Sequence, residues 1–154
     1  MYLYLVQHGD AKREEEDSSR GLTQRGIDDV THVATFARKM KVHLSRILHS
    51  GKTRAEQTSQ ILDDHLKSEK GVSETDSLAP MDDPSIWATR LGIMDEDIML
   101  VGHLPYMAKL AGLLLCGNKD TTCIDFKMGG IVCCRRFDEG RWAVEWMIVP
   151  AMLQ

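Results

Sequence analysis

Residues 2–10 of the chain read Tyr2-Leu3-Tyr4-Leu5-Val6-Gln7-His8-Gly9-Asp10. An unbroken run of apolar and aromatic residues that ends abruptly in polar ones is typical of a β-strand buried on both faces of a sheet. In open parallel α/β sheets, ligands bind outside the carboxyl ends of the strands. We therefore expect His8 to lie at the tip of a rigid strand, beside a glycine that lets the backbone turn and a ligand approach closely.

Two later segments repeat this pattern of an apolar strand followed by a polar turn. The segment 50–54, Ser-Gly-Lys-Thr-Arg, follows the short apolar pair at 47–48. Gly102-His103 follows the continuous apolar run at 98–101. We expect three strand ends to converge on one pocket.

Helices are predicted between these strands from apolar residues at helical spacing. The first begins after Thr23 as its N-cap and ends near Lys41, with buried positions expected at Ile27, Val30, Ala34 and Ala37 and with Val33 and Met40 flanking them. The second runs from about Lys52 to Leu66, and the third begins at Asp83-Pro84 and carries Ile86, Trp87 and Leu91. The fourth begins at Pro105 and is stopped by Gly117.

The remaining strands are expected to complete a mixed sheet. A weak edge strand is predicted at 72–75, and the segments 131–137 and 142–149 flank the turn residues 138–141 as in an antiparallel hairpin. Strands that alternate with helices and end in a hairpin predict a three-layer αβα domain with a mostly parallel sheet. Residues 1–154 are expected to form one such domain.

Composition narrows the classes of function. The formal net charge is −4 and the pI is about 5.8, which argues against general affinity for nucleic acid or membranes. The four cysteines have neither disulfide nor zinc spacing, with Cys133 and Cys134 expected on opposite faces of a strand. We expect a cytoplasmic protein with no metal site and no cofactor.

Two histidines and an arginine at strand ends suit phosphoryl transfer, which needs cationic donors around the phosphate oxygens and an in-line nucleophile. A neutral imidazole is such a nucleophile if a backbone carbonyl holds the proton on its other ring nitrogen. Each of these residues, taken singly, also has a structural interpretation. His8 would be a histidine at a strand end that bonds to the backbone, Arg54 would be an exposed helix residue, and His103 would cap a helix. Their joint spacing favours the phosphoryl pocket.

The chain resembles the histidine phosphatase superfamily, specifically the small SixA-type phosphohistidine phosphatases. The resemblance covers nearly the whole chain and lies in His8-Gly9, Arg20-Gly21-Leu22-Thr23, Ser50 with Arg54-Ala55-Glu56-Gln57-Thr58, and Gly102-His103-Leu104-Pro105. It implies a phosphoglycerate mutase-like fold, with His8 as the nucleophile. It also implies that Arg54 and His103 bind the transferred phosphoryl group and that Arg20 adds a cationic contact from its loop.

Two positions depart from the family pattern. Gln7 replaces the arginine of the Arg-His-Gly motif, so the phosphate would meet an uncharged donor without the guanidinium fork. Gly51 replaces the usual proline, which we expect to alter loop stiffness only. Asp10, Asp76 and Asp82 are the acids placed near the strand ends, and none fits a proton-donor motif.

These observations predict a metal-independent phosphatase that works through phospho-His8, with a histidine-phosphorylated protein as substrate. A phosphohistidine P–N bond is labile and needs less acid catalysis than an alkyl phosphate, which agrees with the missing donor motif. Two alternatives remain open at this point. One is a phosphate- or phosphoprotein-binding module that has lost turnover through Gln7, and the other is a phosphatase for small phosphate esters.

Overall fold

A computed structural model describes all residues, Met1–Gln154. Its single sheet has six strands in the order β3-β2-β4-β1-β5-β6. Because buried apolar runs pair in the interior of the sheet, the first strand and the 98–102 strand lie side by side at its centre. The strands are β1 (Tyr2–Gln7), β2 (Arg46–His49), β3 (Val72–Glu74), β4 (Ile98–Gly102), β5 (Ile131–Arg136) and β6 (Trp142–Ile148).

The sheet is mixed, as predicted. Strands β3, β2, β4 and β1 are parallel, while β5 and β6 form an antiparallel hairpin that pairs with β1 on its other side. The short strand β3 lies at the edge of the sheet, which confirms the edge strand predicted at 72–75. The register pairs Gln7 with Gly102, so β1 and β4 end at the same level.

Four α-helices cover the two faces of the sheet. Helices α1 and α2 contact each other over one face, and α3 and α4 contact each other over the other. The helices are α1 (Gln24–Lys39), α2 (Thr53–Leu66), α3 (Pro84–Ile93) and α4 (Tyr106–Cys116). This is the three-layer αβα architecture predicted from the alternation of strands and helices, and none of these helices has the length and apolar character needed to span a membrane.

Each face of the sheet has its own apolar core. Cys133 packs in the core under α1 and α2, and Cys134 packs in the core under α3 and α4, which confirms that they point to opposite faces of β5. Burial raises the pKa of both thiols to about 12, so they remain protonated.

One predicted core position of α1 is wrong, because Ile27 is about two-fifths exposed. The buried stripe of α1 is instead formed by Val30, Val33, Ala34 and Ala37. Val30, Ala34 and Ala37 are buried as predicted, but in the first turn Gly26 rather than Ile27 faces the interior, where it packs against the backbone of Asp10.

The start of α1 is held against the loop that follows β1. The Thr23 hydroxyl accepts a hydrogen bond from the Gly26 N–H at 3.0 Å, as the predicted N-cap should. A side chain at Gly26 would overlap the backbone oxygen of Asp10, so only glycine permits this close approach. The loop carrying His8 and Gly9 is thereby fixed between β1 and α1.

Candidate active site

Three neighbouring parallel strands deliver the polar residues of the site. Strands β2, β4 and β1 lie side by side, and their carboxyl ends meet at one edge of the sheet. His8 follows β1, Ser50 follows β2 and His103 follows β4. The convergence expected from the three segments is therefore present, and it places the site at the edge where α/β sheets bind ligands.

The ring of His8 is held in one tautomer. Its Nδ1 lies 2.7 Å from the carbonyl oxygen of Gly9, which can only accept, so Nδ1 carries the proton and donates it. Its Nε2 is then unprotonated and accepts a hydrogen bond from Nε of Arg54 at 3.3 Å. Burial is the main cause that lowers the pKa of His8, and the positive charge of Arg54 lowers it further. The ring is therefore a neutral imidazole with an available lone pair.

Arg54 is carried by the first turn of α2. The free N–H groups and the dipole at a helix N-terminus favour an anion at the same place as the guanidinium. No carboxylate lies within ion-pairing distance of Arg54. Its charge is thus available to a ligand.

His103 lies next to His8, with the two ring centroids 5.1 Å apart. The residue is only 2% exposed, and its Nε2 is 2.6 Å from the Ser50 hydroxyl. Its Nδ1 is buried and has no hydrogen-bond partner. Burial first, and then the charges of His8 and Arg54, lower the pKa of His103 to about 3. A buried polar atom without a partner is costly, so the neutral form of this ring, which has one N–H instead of two, is the less costly one.

Three residues of the quoted motifs have structural roles that the sequence did not assign. Thr58 accepts from the Gly9 N–H at 3.0 Å and donates to the Arg54 carbonyl at 2.7 Å, so it ties the His8 loop to α2. Gln57 accepts from the Leu22 N–H at 2.7 Å and holds the loop before α1. The third is Ser50, the partner of His103. The signal available from the sequence was their position in the motif, but side-chain partners across 35 to 53 residues are visible only in the fold.

Gln7 lies at the end of β1, where its backbone oxygen accepts from the Gly129 N–H at 2.9 Å. The side-chain oxygen Oε1 is buried without a hydrogen-bond partner. Gln7, the predicted phosphate-binding residue, thus has an amide oxygen that makes no hydrogen bond within the chain.

Gly51 does more than change loop stiffness. Its φ is +87°, which proline cannot adopt, and a side chain there would overlap the carboxylate of Glu74. The expectation of a stiffness effect alone was wrong, because the loop between β2 and α2 follows a path that excludes proline.

Arg20 does not contact His8 or His103. Its Nε donates to the Lys12 carbonyl at 3.3 Å, and its side chain lines a recess next to Arg54. Its charge still contributes to lowering the pKa of both histidines. The structure thus brings together His8, Arg54 and His103, while Arg20 lies outside this group, in the recess next to Arg54.

The three candidate acids are engaged in other bonds. Asp76 is bidentate to Arg90 at 2.8 and 2.9 Å, and its pKa falls to about 2, mainly through this contact. Asp82 accepts from the Ala79 N–H at 2.9 Å, and Asp10 accepts from the Thr23 hydroxyl at 2.7 Å.

Together the residues form a site for a tetrahedral oxyanion. A neutral imidazole with a free lone pair faces a guanidinium, and a second buried imidazole stands beside them. Cationic and N–H donors of this kind bind phosphate oxygens, and the lone pair can attack phosphorus. The structure brings no three His, Cys, Asp or Glu side chains together in an arrangement that could hold a metal ion.

Comparison with known proteins agrees with this geometry. No protein-family model matches the chain. The sequence is 26% identical over 159 residues to phosphohistidine phosphatase SixA of Escherichia coli (strain K12), across 100% of this chain and 97% of that protein. The solved structure of the protein histidine phosphatase SixA complexed with tungstate superposes with a TM-score of 0.89 at 26% identity, covering 100% of both chains. The alpha-ribazole phosphatase from Shigella flexneri shares the fold, with a TM-score of 0.80 at 13% identity and 97% coverage of each chain.

Proposed function

The chain is a phosphatase of the histidine phosphatase superfamily, of the SixA type, and on this premise we propose that it removes phosphate from phosphohistidine in a partner protein through a phospho-His8 intermediate. The observation that carries the proposal is the state of His8. Its Nδ1 proton is donated to the Gly9 carbonyl and its Nε2 lone pair is directed to the Arg54 side of the site. The similarity to SixA supports phosphohistidine as the substrate class.

In the first step, Nε2 of His8 attacks the phosphorus while the bond to the substrate imidazole breaks. Arg54 shifts its N–H donation from Nε2 to the phosphoryl oxygens, and His103 contacts the same group from the other strand end. Fixed donors of this kind stabilise the charge that develops on the equatorial oxygens. In the second step, water attacks the phosphorus of phospho-His8, which releases phosphate and restores the neutral imidazole.

The leaving group explains why the site works without a dedicated carboxylic acid. Asp10, Asp76 and Asp82 each bond to a neighbouring group of this chain. The ring of phosphohistidine can already carry a proton at neutral pH and then leaves as neutral imidazole, whereas an alkoxide needs an acid nearby. This difference favours phosphohistidine over a small alkyl phosphate as substrate.

The test is phosphate release from a protein phosphorylated on histidine with phosphoramidate, compared with release from a small phosphomonoester. We expect the phosphohistidine protein to be hydrolysed with the higher kcat/KM, and we expect EDTA to have no effect. Steady turnover of the ester with no release from the phosphohistidine protein would instead support a small-molecule phosphatase, like the alpha-ribazole phosphatase of Shigella flexneri that shares the fold.

One observation favours a second candidate function, a module that binds phosphohistidine without turning it over. Gln7 stands where the family has arginine, and its amide oxygen is buried and unpaired. Loss of one preorganised donor can lower the rate by about 10²–10³. A binder would take up orthovanadate and the phosphohistidine protein but release no phosphate, so the same assay separates the two candidates.

A further inference from the structure

A surface recess of about 370 Å³ adjoins the active site on the side of α2. Its wall includes Arg54, the residue that contacts His8, and it continues over Arg20 and Lys52. No apolar side chain lines it. A ligand group that fits this recess is therefore hydrophilic.

The cations of the recess are not neutralised by the chain itself. None of Arg20, Lys52 and Arg54 has a carboxylate oxygen within 4.0 Å. Other basic residues, such as Arg46 and Arg90, do have acidic partners. The recess is a local positive patch on an acidic protein.

The acidic run beside the recess forms no ion pair with these three cations, and two of its carboxylates bond within their own loop. Asp17 accepts from the N–H groups of Ser19 and Gly21, each at 3.0 Å. Glu16 accepts from the Arg13 N–H at 3.1 Å. Glu14 is the one carboxylate that lines the recess, against three cations.

These charges act on the catalytic edge of the sheet. Arg54, Lys52 and Arg20 all contribute to lowering the pKa of His103, so the recess and the site share one positive field. In the proposed reaction Arg54 is occupied by the phosphoryl group. Arg20 is the next cation outward from the phosphoryl group, and Lys52 remains available to a second anionic group of the same substrate.

We propose that Lys52 binds a carboxylate that flanks the phosphohistidine in the substrate protein. The inference rests on the proposed function and adds to it the chemistry of the partner surface, which is acidic around the phosphorylated histidine. Carboxylates on the surface of a partner protein suit this recess, because it is open to solvent and has no apolar lining. Complementary charges of this kind raise the association rate and select the partner.

The test uses two phosphohistidine peptides, one with two Glu on each side of the phosphohistidine and one with two Gln on each side. We expect the full chain to prefer the Glu peptide by about five- to ten-fold in kcat/KM at low salt, since each exposed charge pair is worth up to about a factor of five. Raising the ionic strength to about 0.3 M should remove most of this preference, because exposed charges are then screened.

Variants assign the preference to Lys52. Lys52→Glu should abolish or reverse the ratio between the two peptides, and Lys52→Gln should reduce it. The matched control is Lys39→Glu, which makes the same change in net charge at the last residue of α1, outside the residues that line the recess. It should retain the wild-type ratio.

The outcomes that overturn the inference are distinct from failure of the proposed function. Equal kcat/KM on both peptides, or a Lys52→Glu loss of the same size on both, would show that Lys52 does not read the flanking residues. A ratio that falls equally in Lys39→Glu would show a net-charge effect only. If neither peptide is hydrolysed while a phosphomonoester is, the proposed phosphohistidine activity itself is wrong.

Discussion

Nε of Arg54 donates to Nε2 of His8 across 3.3 Å, and this contact joins the tip of β1 to the first turn of α2. It places a positive charge against the lone pair that would attack phosphorus. The cation disfavours protonation of His8, and the Gly9 carbonyl holds the opposite ring nitrogen in its N–H form. The same guanidinium is then in position to receive the phosphoryl group.

His8→Ala should abolish both turnover and covalent phosphorylation, because the other imidazole of the site, His103, has its Nε2 bonded to Ser50 and its Nδ1 buried. The measurement is ³²P labelling from a phosphohistidine donor, followed by acid and base treatment of the protein. A label that is labile in acid and stable in base is expected in the wild type and absent in the variant. Labelling of the same kind in His8→Ala would refute the assignment.

Arg54→Ala should weaken orthovanadate binding by about 1.5–3 kcal/mol, the value of a well-made charge-assisted contact. Arg20→Ala should weaken it less, because Arg20 bonds to the Lys12 carbonyl and reaches neither histidine. Titration calorimetry with vanadate compares the two variants directly. Equal losses would mean that Arg20 moves into the site when the anion binds.

Ser50→Ala should lower kcat and vanadate affinity by about ten-fold, because the 2.6 Å contact to Nε2 positions the His103 ring. Ser50→Thr keeps the hydroxyl and should restore most of both. A purely structural role for Ser50 would instead lower thermal stability and leave vanadate affinity unchanged in the folded protein.

Gln7→Arg should raise the rate by about ten-fold, because a guanidinium would add charge to the equatorial oxygens in the transition state. It also removes the unpaired amide oxygen at this position. Gln7→Lys is the control for charge without the planar fork and should give a smaller gain. An unchanged or lower rate in a folded Gln7→Arg protein would mean that the site is built around a neutral donor.

Stability should fall as the pH is lowered from about 6.5 to about 3, owing to His103. Its pKa is lowered from 6.5 to about 3 in the fold, so within this window the unfolded chain binds a proton that the folded chain does not. The contribution of neutral His103 to the unfolding free energy is fully present above pH 6.5. Within the window, one such group changes the unfolding free energy by up to about 1.4 kcal/mol per pH unit. His8, with its pKa also lowered, acts in the same direction.

Urea unfolding from pH 4 to pH 8 measures this slope. His103→Gln should flatten it, because glutamine does not titrate. A variant with the wild-type slope would show that the dependence comes from other groups.

Local pattern was enough to predict the sheet and the position of the site. The apolar run before Gln7 and the run at 98–101 had to be interior strands, since only burial on both faces accommodates them. Polar residues that follow such strands lie at the edge where the strands end, so His8 and His103 were expected to meet. The family resemblance then predicted the roles of Arg54 and Arg20 as well as the chemistry.

Only the tertiary structure decided which groups bond to one another. Spacing predicted the buried Val30, Ala34 and Ala37 of α1, but it could not set the edges of the buried stripe, where Ile27 is exposed and Val33 is buried. Several contacts depend on atoms brought together from different elements. Examples are the hydrogen bond of Ser50 with His103, the close approach of Gly51 to the Glu74 carboxylate, and the absence of an acidic partner for Lys52. Residue types and spacing determine which strands and helices form, because those preferences are local. Partners across a sheet depend on how the helices pack on it, and that packing is a property of the whole fold.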